Sequence, residues 1–161
     1  MIIIKGCLII SIIIICSLIG NIKSNSYRKR YDDLKKFKRA LGVFKTKLEF
    51  TYQPINEIFE DISKLVYEEK DNVFKRFNEN EDWDLSVDME ENFMPDDKEV
   101  AKNLGKLLGK LDKDGQLNEI YLVNSFIDKQ IEVAFDVRQK NEKLYRILGK
   151  SVGIAIAIVL I

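Results

Sequence analysis

Three stretches of the chain carry residues at spacings that chemistry could use, and each fails at an identifiable position. Asp112-Lys-Asp114-Gly115 has the acids and the glycine of a calcium loop. With Gly115 as the sixth position, Lys110 fills the first ligand position and Tyr121 stands where a bidentate glutamate is needed. A plain turn is expected there. Gly109-Lys110 has the end of a phosphate loop, but Leu111 replaces the required Ser or Thr and Leu104 the first glycine. A helix is expected there instead. The carboxylates between Glu79 and Glu99 could supply a general acid and base, yet nothing near them signals desolvation or a charged partner. They read as a solvated loop and helix face. The chain has no histidine, and its two cysteines, Cys7 and Cys16, both lie in an apolar run. The commonest general base and metal ligand are therefore missing, and the polar part has no thiolate, disulfide framework or zinc site. No catalytic, cofactor-binding or metal-binding residue is assigned, and an enzyme is not expected.

What the chain does have is layout. A polar middle lies between two apolar ends, and its 161 residues are one domain by length. The net charge of zero conceals a split: Lys23 to Phe50 holds ten Lys or Arg against three acids, and Thr51 to Val100 holds sixteen acids against five bases. Opposed blocks of this kind suit docking surfaces or membrane contact, whereas nucleic acid needs a net basic face. No nucleic-acid partner is expected.

Ile2 to Ile22 is interrupted by charge only at Lys5. At about 1.5 Å per residue it covers about 30 Å, the thickness of a bilayer core, and Lys5 can snorkel. A cleaved signal peptide is the competing reading, although Leu18 is too large for the −3 position of a cut after Gly20. Lys23, Arg28, Lys29, Arg30, Lys35, Lys36, Lys38 and Arg39 follow the run, against Lys5 alone before it. The positive-inside rule then puts the middle in the cytoplasm. The same basic block would serve as a solvated helix face or a contact for anionic lipid.

The middle reads as helices throughout. Tyr27, Tyr31, Leu34, Phe37, Leu41, Phe44 and Leu48 step by three and four along one stripe. Pro54 suits a helix start, with Ile55, Ile58, Phe59, Ile62, Leu65 and Val66 as its buried face. Val73, Phe74 and Phe77 give a shorter helix capped by Asp71 or Asn72, and Asn78 to Asp82 a loop. Trp83, Val87 and Phe93 suggest another short helix, closed by Met94-Pro95. Pro95-Asp96-Asp97 opens the next one, its inner face formed by Val100, Ala101, Leu104, Leu107, Leu108 and Leu111. Lys113-Asp-Gly115 is the expected turn. From Gln116 the series Leu117, Ile120, Asn124, Ile127, Ile131, Ala134, Arg138, Asn141, Tyr145, Leu148 continues unbroken as one long helix. No segment alternates long enough for a sheet, so the fold class is all-α.

The tail, Ile147 to Ile161, is 15 residues and contains Lys150. As a helix it measures about 22 Å, short of a full span unless the bilayer thins or another helix shields the lysine. Gly149, Gly153 and Ala157 form a small-xxx-small face that permits close packing against a membrane helix. The expected division is a transmembrane anchor over 1–22, a cytoplasmic antiparallel helical bundle over 23–146 and a C-terminal membrane segment over 147–161.

In order along the chain, three segments resemble the stage III sporulation protein AB family of endospore-forming bacteria. Leu41 to Ile58 resembles the family's early helix pair. Leu104 to Gln116 resembles its Leu-Gly-x-Ser-Asp-x-x-x-Gln segment, with Leu111 replacing the usual Ser. Lys140-Asn-Glu-Lys-Leu-Tyr-Arg-Ile-Leu-Gly149 resembles its Lys-x-Tyr-Arg-x-Leu-Gly approach to the last membrane run, which Lys150 here charges. The resemblance implies a membrane protein whose helical cytoplasmic domain is similar to F-type platform proteins of type II secretion. It implies membership of the channel complex joining mother cell to forespore, in the outer forespore membrane and facing the mother-cell cytoplasm. It also implies an AA-type ATPase and other channel components as partners, and no catalytic residue. The leading reading is thus a non-enzymatic platform or adaptor. The alternatives are a small pore-forming protein self-associating through Gly149 and Gly153, and a secreted helical protein released by signal cleavage.

Overall fold

The computed structural model describes residues 2–51, 53–68, 72, 74–76 and 93–160, with the side chains at 2–6, 8, 9 and 160 left aside. The described residues are helical, with no strand among them. Four helices are named here: α1 (Ile2–Phe50), α2 (Ile55–Tyr67), α3 (Pro95–Leu107) and α4 (Lys113–Leu160). The apolar first run and the basic stripe that follows it are one unbroken helix of 49 residues. No proline interrupts it, and its serines do not compete for the helical ladder. Ser26 bonds back to the Lys23 carbonyl at 2.8 Å, and Ser24 donates to another helix. The chain forms two compact units, Met1–Tyr31 with Val133–Ile161, and Asp32–Glu132.

The Asp32–Glu132 unit has the core expected of amphipathic helices. Leu34, Phe37, Leu41 and Phe44 of α1 are fully buried, as are Ile58, Phe59 and Ile62 of α2, Leu104 of α3 and Ile120 and Ile127 of α4. The stripes read from steps of three and four therefore do meet. Phe74 is their junction: its ring centroid lies 5.9 Å from that of Phe37, 5.7 Å from Phe59 and 6.0 Å from Tyr67. Such aromatic packing adds to the area it removes from water.

Asn72 sets Phe74 in that position. Buried itself, it donates from Nδ2 to Ser63 Oγ at 2.8 Å, while its Oδ1 accepts the backbone N–H groups of Phe74 and Lys75, both at 3.1 Å. Of the two expected caps, Asn72 does the capping. Asp71, Val73, Phe77, the Asn78–Asp82 loop, Trp83 and Val87 lie outside the described residues. Phe93 is described, and meets Phe37 edge to face at 6.2 Å.

Four expectations shift. Pro54 is the N-cap of α2 rather than its first residue, its carbonyl accepting from Glu57 at 3.1 Å and Ile58 at 3.2 Å. Leu65 is 57% exposed, because Ser63 takes the inner position beside Ile62 and rotates Leu65 outward. The turn expected at Lys113–Gly115 is instead the first turn of α4, and the helix expected at Gly109–Lys110 is the turn. Gly109 has φ 76°, a left-handed conformation that glycine adopts without a Cβ clash. Asp112 then caps α4, accepting the Gly115 N–H at 3.1 Å. A Cβ at Gly115 would sit 2.7 Å from that same carboxylate oxygen. Gln116 stitches the turn, donating to the Leu111 carbonyl at 2.8 Å. Finally, Leu148 is 45% exposed and not part of the inner stripe. Beyond Tyr145 the glycines take over the packing face. The start of α3 is as expected: Pro95 is its first residue, and Asp97 Oδ2 accepts the Met94 N–H at 2.9 Å.

Truncating the aromatic junction should be costly and truncating the rotated leucine cheap. Phe74→Ala is expected to lower stability by about 3–5 kcal/mol, and Leu65→Ala by under about 1 kcal/mol, in denaturant unfolding of the detergent-solubilised chain. Equal losses would contradict the burial described.

Candidate functional site

The unit formed by Met1–Tyr31 and Val133–Ile161 is a pair of antiparallel helices. Its contacts run in one register from Ile13 with Gly153, through Gly20 with Gly149 and Ser24 with Glu142, to Tyr31 with Phe135. Glycine makes the close approach at its apolar end. A methyl on Gly20 would lie 2.6 Å from the Tyr145 carbonyl oxygen and 2.9 Å from the Gly149 Cα. One on Gly149 would lie 2.8 Å from the Cys16 carbonyl oxygen, and one on Gly153 would lie 3.1 Å from the Ile13 Cα. Contacts this short need both backbones bare, which is what small residues provide between membrane helices. Gly153 and Ala157 are buried. The small-residue face of the tail is therefore occupied by this chain's own first helix. Gly20 was not identified as its partner from the sequence, although it stands only three residues before Lys23, where the basic flank begins.

The outer surface of this pair is apolar. Ile14, Ile15, Leu18, Ile19 and Ile22 on α1, and Val152, Ile154, Ile158 and Val159 on α4, are all exposed. Contiguous apolar surface on that scale marks contact with something other than water. Among the described residues one helix, Ile10–Phe50, is long and apolar enough to cross a membrane.

Next to the apolar end the pair turns aromatic and charged. Tyr27 and Tyr145 stack at 5.6 Å, and Ser24 Oγ donates to the Glu142 carbonyl at 2.9 Å. The tyrosines fit the amphipathic belt found where helices leave a bilayer. Arg138 lies over the Tyr31 ring at 5.2 Å and donates from Nε to Glu142 Oε2 at 2.9 Å. Arg146 reaches the other carboxylate oxygen at 3.1 Å. The Arg138 hydrogen bond, with the charges of Arg138, Arg146 and Arg28, holds the Glu142 carboxyl below its usual range.

The Asp32–Glu132 unit carries a second candidate surface. A groove of about 610 Å³ runs along the end of α1, lined by Arg39, Gly42, Val43, Thr46 and Phe50. Phe50 is 75% exposed, and nothing lies within 4 Å of a Cβ built on Gly42. The groove abuts the α1–α2 corner, where Lys47 donates to Asp61 Oδ2 at 2.7 Å and to Gln53 Oε1 at 3.2 Å. Thr51 closes α1 by donating to the Lys47 carbonyl at 2.6 Å. Sequence reading missed this groove because Gly42 and Phe50 fall among charged residues that suit a solvated face.

Some of the acids have structural roles. Asp112 caps α4, Asp97 caps α3, and Asp61 pairs with Lys47. Among the described residues no three His, Cys, Asp or Glu side chains group as a metal site. The acids from Glu79 to Glu91 lie outside the described residues.

Lys47 holds the Asp61 carboxyl below its usual range, chiefly through their hydrogen bond. A carboxyl lowered on folding stabilises above its unfolded pKa of about 3.9, and that contribution is lost as pH falls through the lowered value. For this half-exposed pair it is about 0.2–1 kcal/mol. Lys47→Met should therefore cost that much at pH 7 and nothing near pH 2 in thermal unfolding. A cost independent of pH would contradict the pairing. The helix pair has its own test. With Cys7 changed to Ala, Gly153→Cys should oxidise to an intrachain disulfide with Cys16, whose Cβ lies 3.2 Å from the built Cβ. A gel that shows only disulfide-linked dimers would place that face between copies instead.

Compared with family models, residues 5–161 match the one described as stage III sporulation protein AB. No curated protein and no solved structure matches the chain.

Proposed function

The chain belongs to the stage III sporulation protein AB family and is a sporulation-associated protein; on that premise we propose that it acts as a non-enzymatic membrane platform. In this reading it links a cytoplasmic secretion-type ATPase, the AA component, to the channel between mother cell and forespore. Residues 1–22 anchor it, 23–146 form the cytoplasmic helical domain, and 147–161 re-enter the membrane. The domain faces the mother-cell cytoplasm from the outer forespore membrane.

The observation that carries this reading is the contrast between the two units. One exposes isoleucine, leucine and valine over both its helices, a surface that lipid covers and water does not. The other has a closed aromatic core and a charged exterior. The basic flank after Ile22 supports the orientation. The basic block of α1 and the acid-rich sequence from Glu57 to Glu99 supply opposite charges that would set docking orientation and association rate more than affinity. A pore built by self-association needs Gly149 and Gly153 free for another copy, and here they face Gly20, Cys16 and Ile13. Homo-oligomers through other faces remain compatible with a platform.

Reversing Glu79, Glu81, Asp82 and Glu91 to lysine should weaken capture of the soluble ATPase component at least tenfold at low salt. The difference should shrink as salt rises, since screening shortens the reach of exposed charges. Unchanged capture across the salt range would sink the assignment of these acids as the docking face.

A further inference from the structure

We propose that a groove on α4 binds an anionic phospholipid, its phosphate held by Lys143 and Arg146 and its apolar part against Ile147. The site rests on the membrane reading above and adds to it a ligand class and residues.

The groove encloses about 660 Å³, and its walls include Arg138, Glu142, Lys143, Arg146 and Ile147. These positions recur by three and four, so they share one face of the helix. Three are cations and one is an acid. Glu142 takes Arg138 on one carboxylate oxygen and Arg146 on the other. A guanidinium has five N–H donors in a fixed fork, so Arg146, positioned by its bond to Glu142, has donor geometry for a second anion. Lys143, exposed on the same wall, stands three residues from Arg146. That separation puts their Cβ atoms about 5–6 Å apart, within reach of a single phosphate. Arg28 of α1 adds its positive field at the same carboxylate.

The neighbouring surface selects among anions. Ile147 is 53% exposed at the groove's end, and exposed Leu148, Val152 and Ile154 follow it. A free phosphate would leave that apolar wall uncovered. Nucleic acid would need a longer basic track without it. A phospholipid presents a negative group and a hydrocarbon chain in that order, which is how basic pockets at the cytoplasmic end of membrane helices take headgroups.

The full chain reconstituted in phosphatidylcholine nanodiscs with a minor fraction of phosphatidylglycerol tests this by native mass spectrometry of the lipids retained. Phosphatidylglycerol is expected to be enriched on the wild-type chain. Lys143→Gln with Arg146→Gln should reduce that enrichment roughly twenty-five-fold, at about a factor of five per charge. Lys143→Gln alone, which leaves both arginine pairs to Glu142 intact, should give an intermediate loss. Lys106→Gln with Lys129→Gln removes the same charge from exposed positions elsewhere and should leave enrichment unchanged. Equal losses in the two double variants, no enrichment in the wild type, or displacement of the lipid by millimolar inorganic phosphate would overturn the site. Failure of the wild-type chain to enter the nanodisc would overturn the membrane reading as well.

Discussion

The fold's most demanding contact is the bare-backbone approach of Gly20 to Gly149, reinforced one turn away by Gly153 against Ile13 and Cys16. Lipid tails are as apolar as leucine, so burying leucine gives no drive for two helices to associate in a bilayer; close packing does. In the proposed membrane reading the tail needs that packing more than an ordinary span would. It is short, carries Lys150, and every polar backbone group in it must be satisfied within a helix. With three small residues on one face and branched aliphatics on the others, it can lie against α1 and still present hydrocarbon outward. Serine, tyrosine and arginine contacts then continue the pair where the surroundings become polar.

The Asp32–Glu132 unit is held together by different means. There, water supplies the driving force, and the fully buried phenylalanines and isoleucines are what it expels. Polar groups decide how those side chains are aimed. Asn72 links Ser63 to the backbone of Phe74 and Lys75, so a buried amide fixes the ring on which three others converge. Gly109, Asp112 and Gln116 do the same for the passage from α3 into α4. A buried amide such as that of Asn72 or Gln116 is costly if left unmatched, and both have hydrogen-bond partners.

Most of the helical content was legible because burial follows a period. Leu34, Phe37, Leu41 and Phe44 can be read directly, and so can Ala101, Leu104 and Leu108. Where reading slipped, a neighbour competed for the same role. Leu65 looked buried because any apolar residue at that spacing does, but Ser63 has a buried partner and Leu65 has none. Lys113-Asp-Gly115 looked like a turn because Asp-Gly is a turn pair. Yet Asp112 one residue earlier captures Gly115 as a cap, and the turn moves back to the glycine with positive φ. The small face of the tail was visible, but not what it meets, since the partner lies more than a hundred residues away. The groove at Gly42 and Phe50 left no periodic trace at all. The family itself was legible from three short segments, most clearly the approach to the tail through Tyr145, Arg146 and Gly149.

The glycine contact has a consequence for how the two units feel their solvent. Carbonyl oxygens of Tyr145 and Cys16 lie 2.6 and 2.8 Å from where Cβ atoms on Gly20 and Gly149 would stand, so this contact depends on bare backbone. Neither partner is ionised, and in hydrocarbon no water or ion competes for them. The Asp32–Glu132 unit carries Lys38 paired with Asp128 and Lys47 with Asp61, and added electrolyte weakens exposed pairs of that kind. Ionic strength thus acts on these pairs, and on those of Glu142 with Arg138 and Arg146 in the other unit, but bypasses the glycine contact. Added salt therefore loosens the charged contacts of both units while the approach of Gly20 to Gly149 keeps its grip.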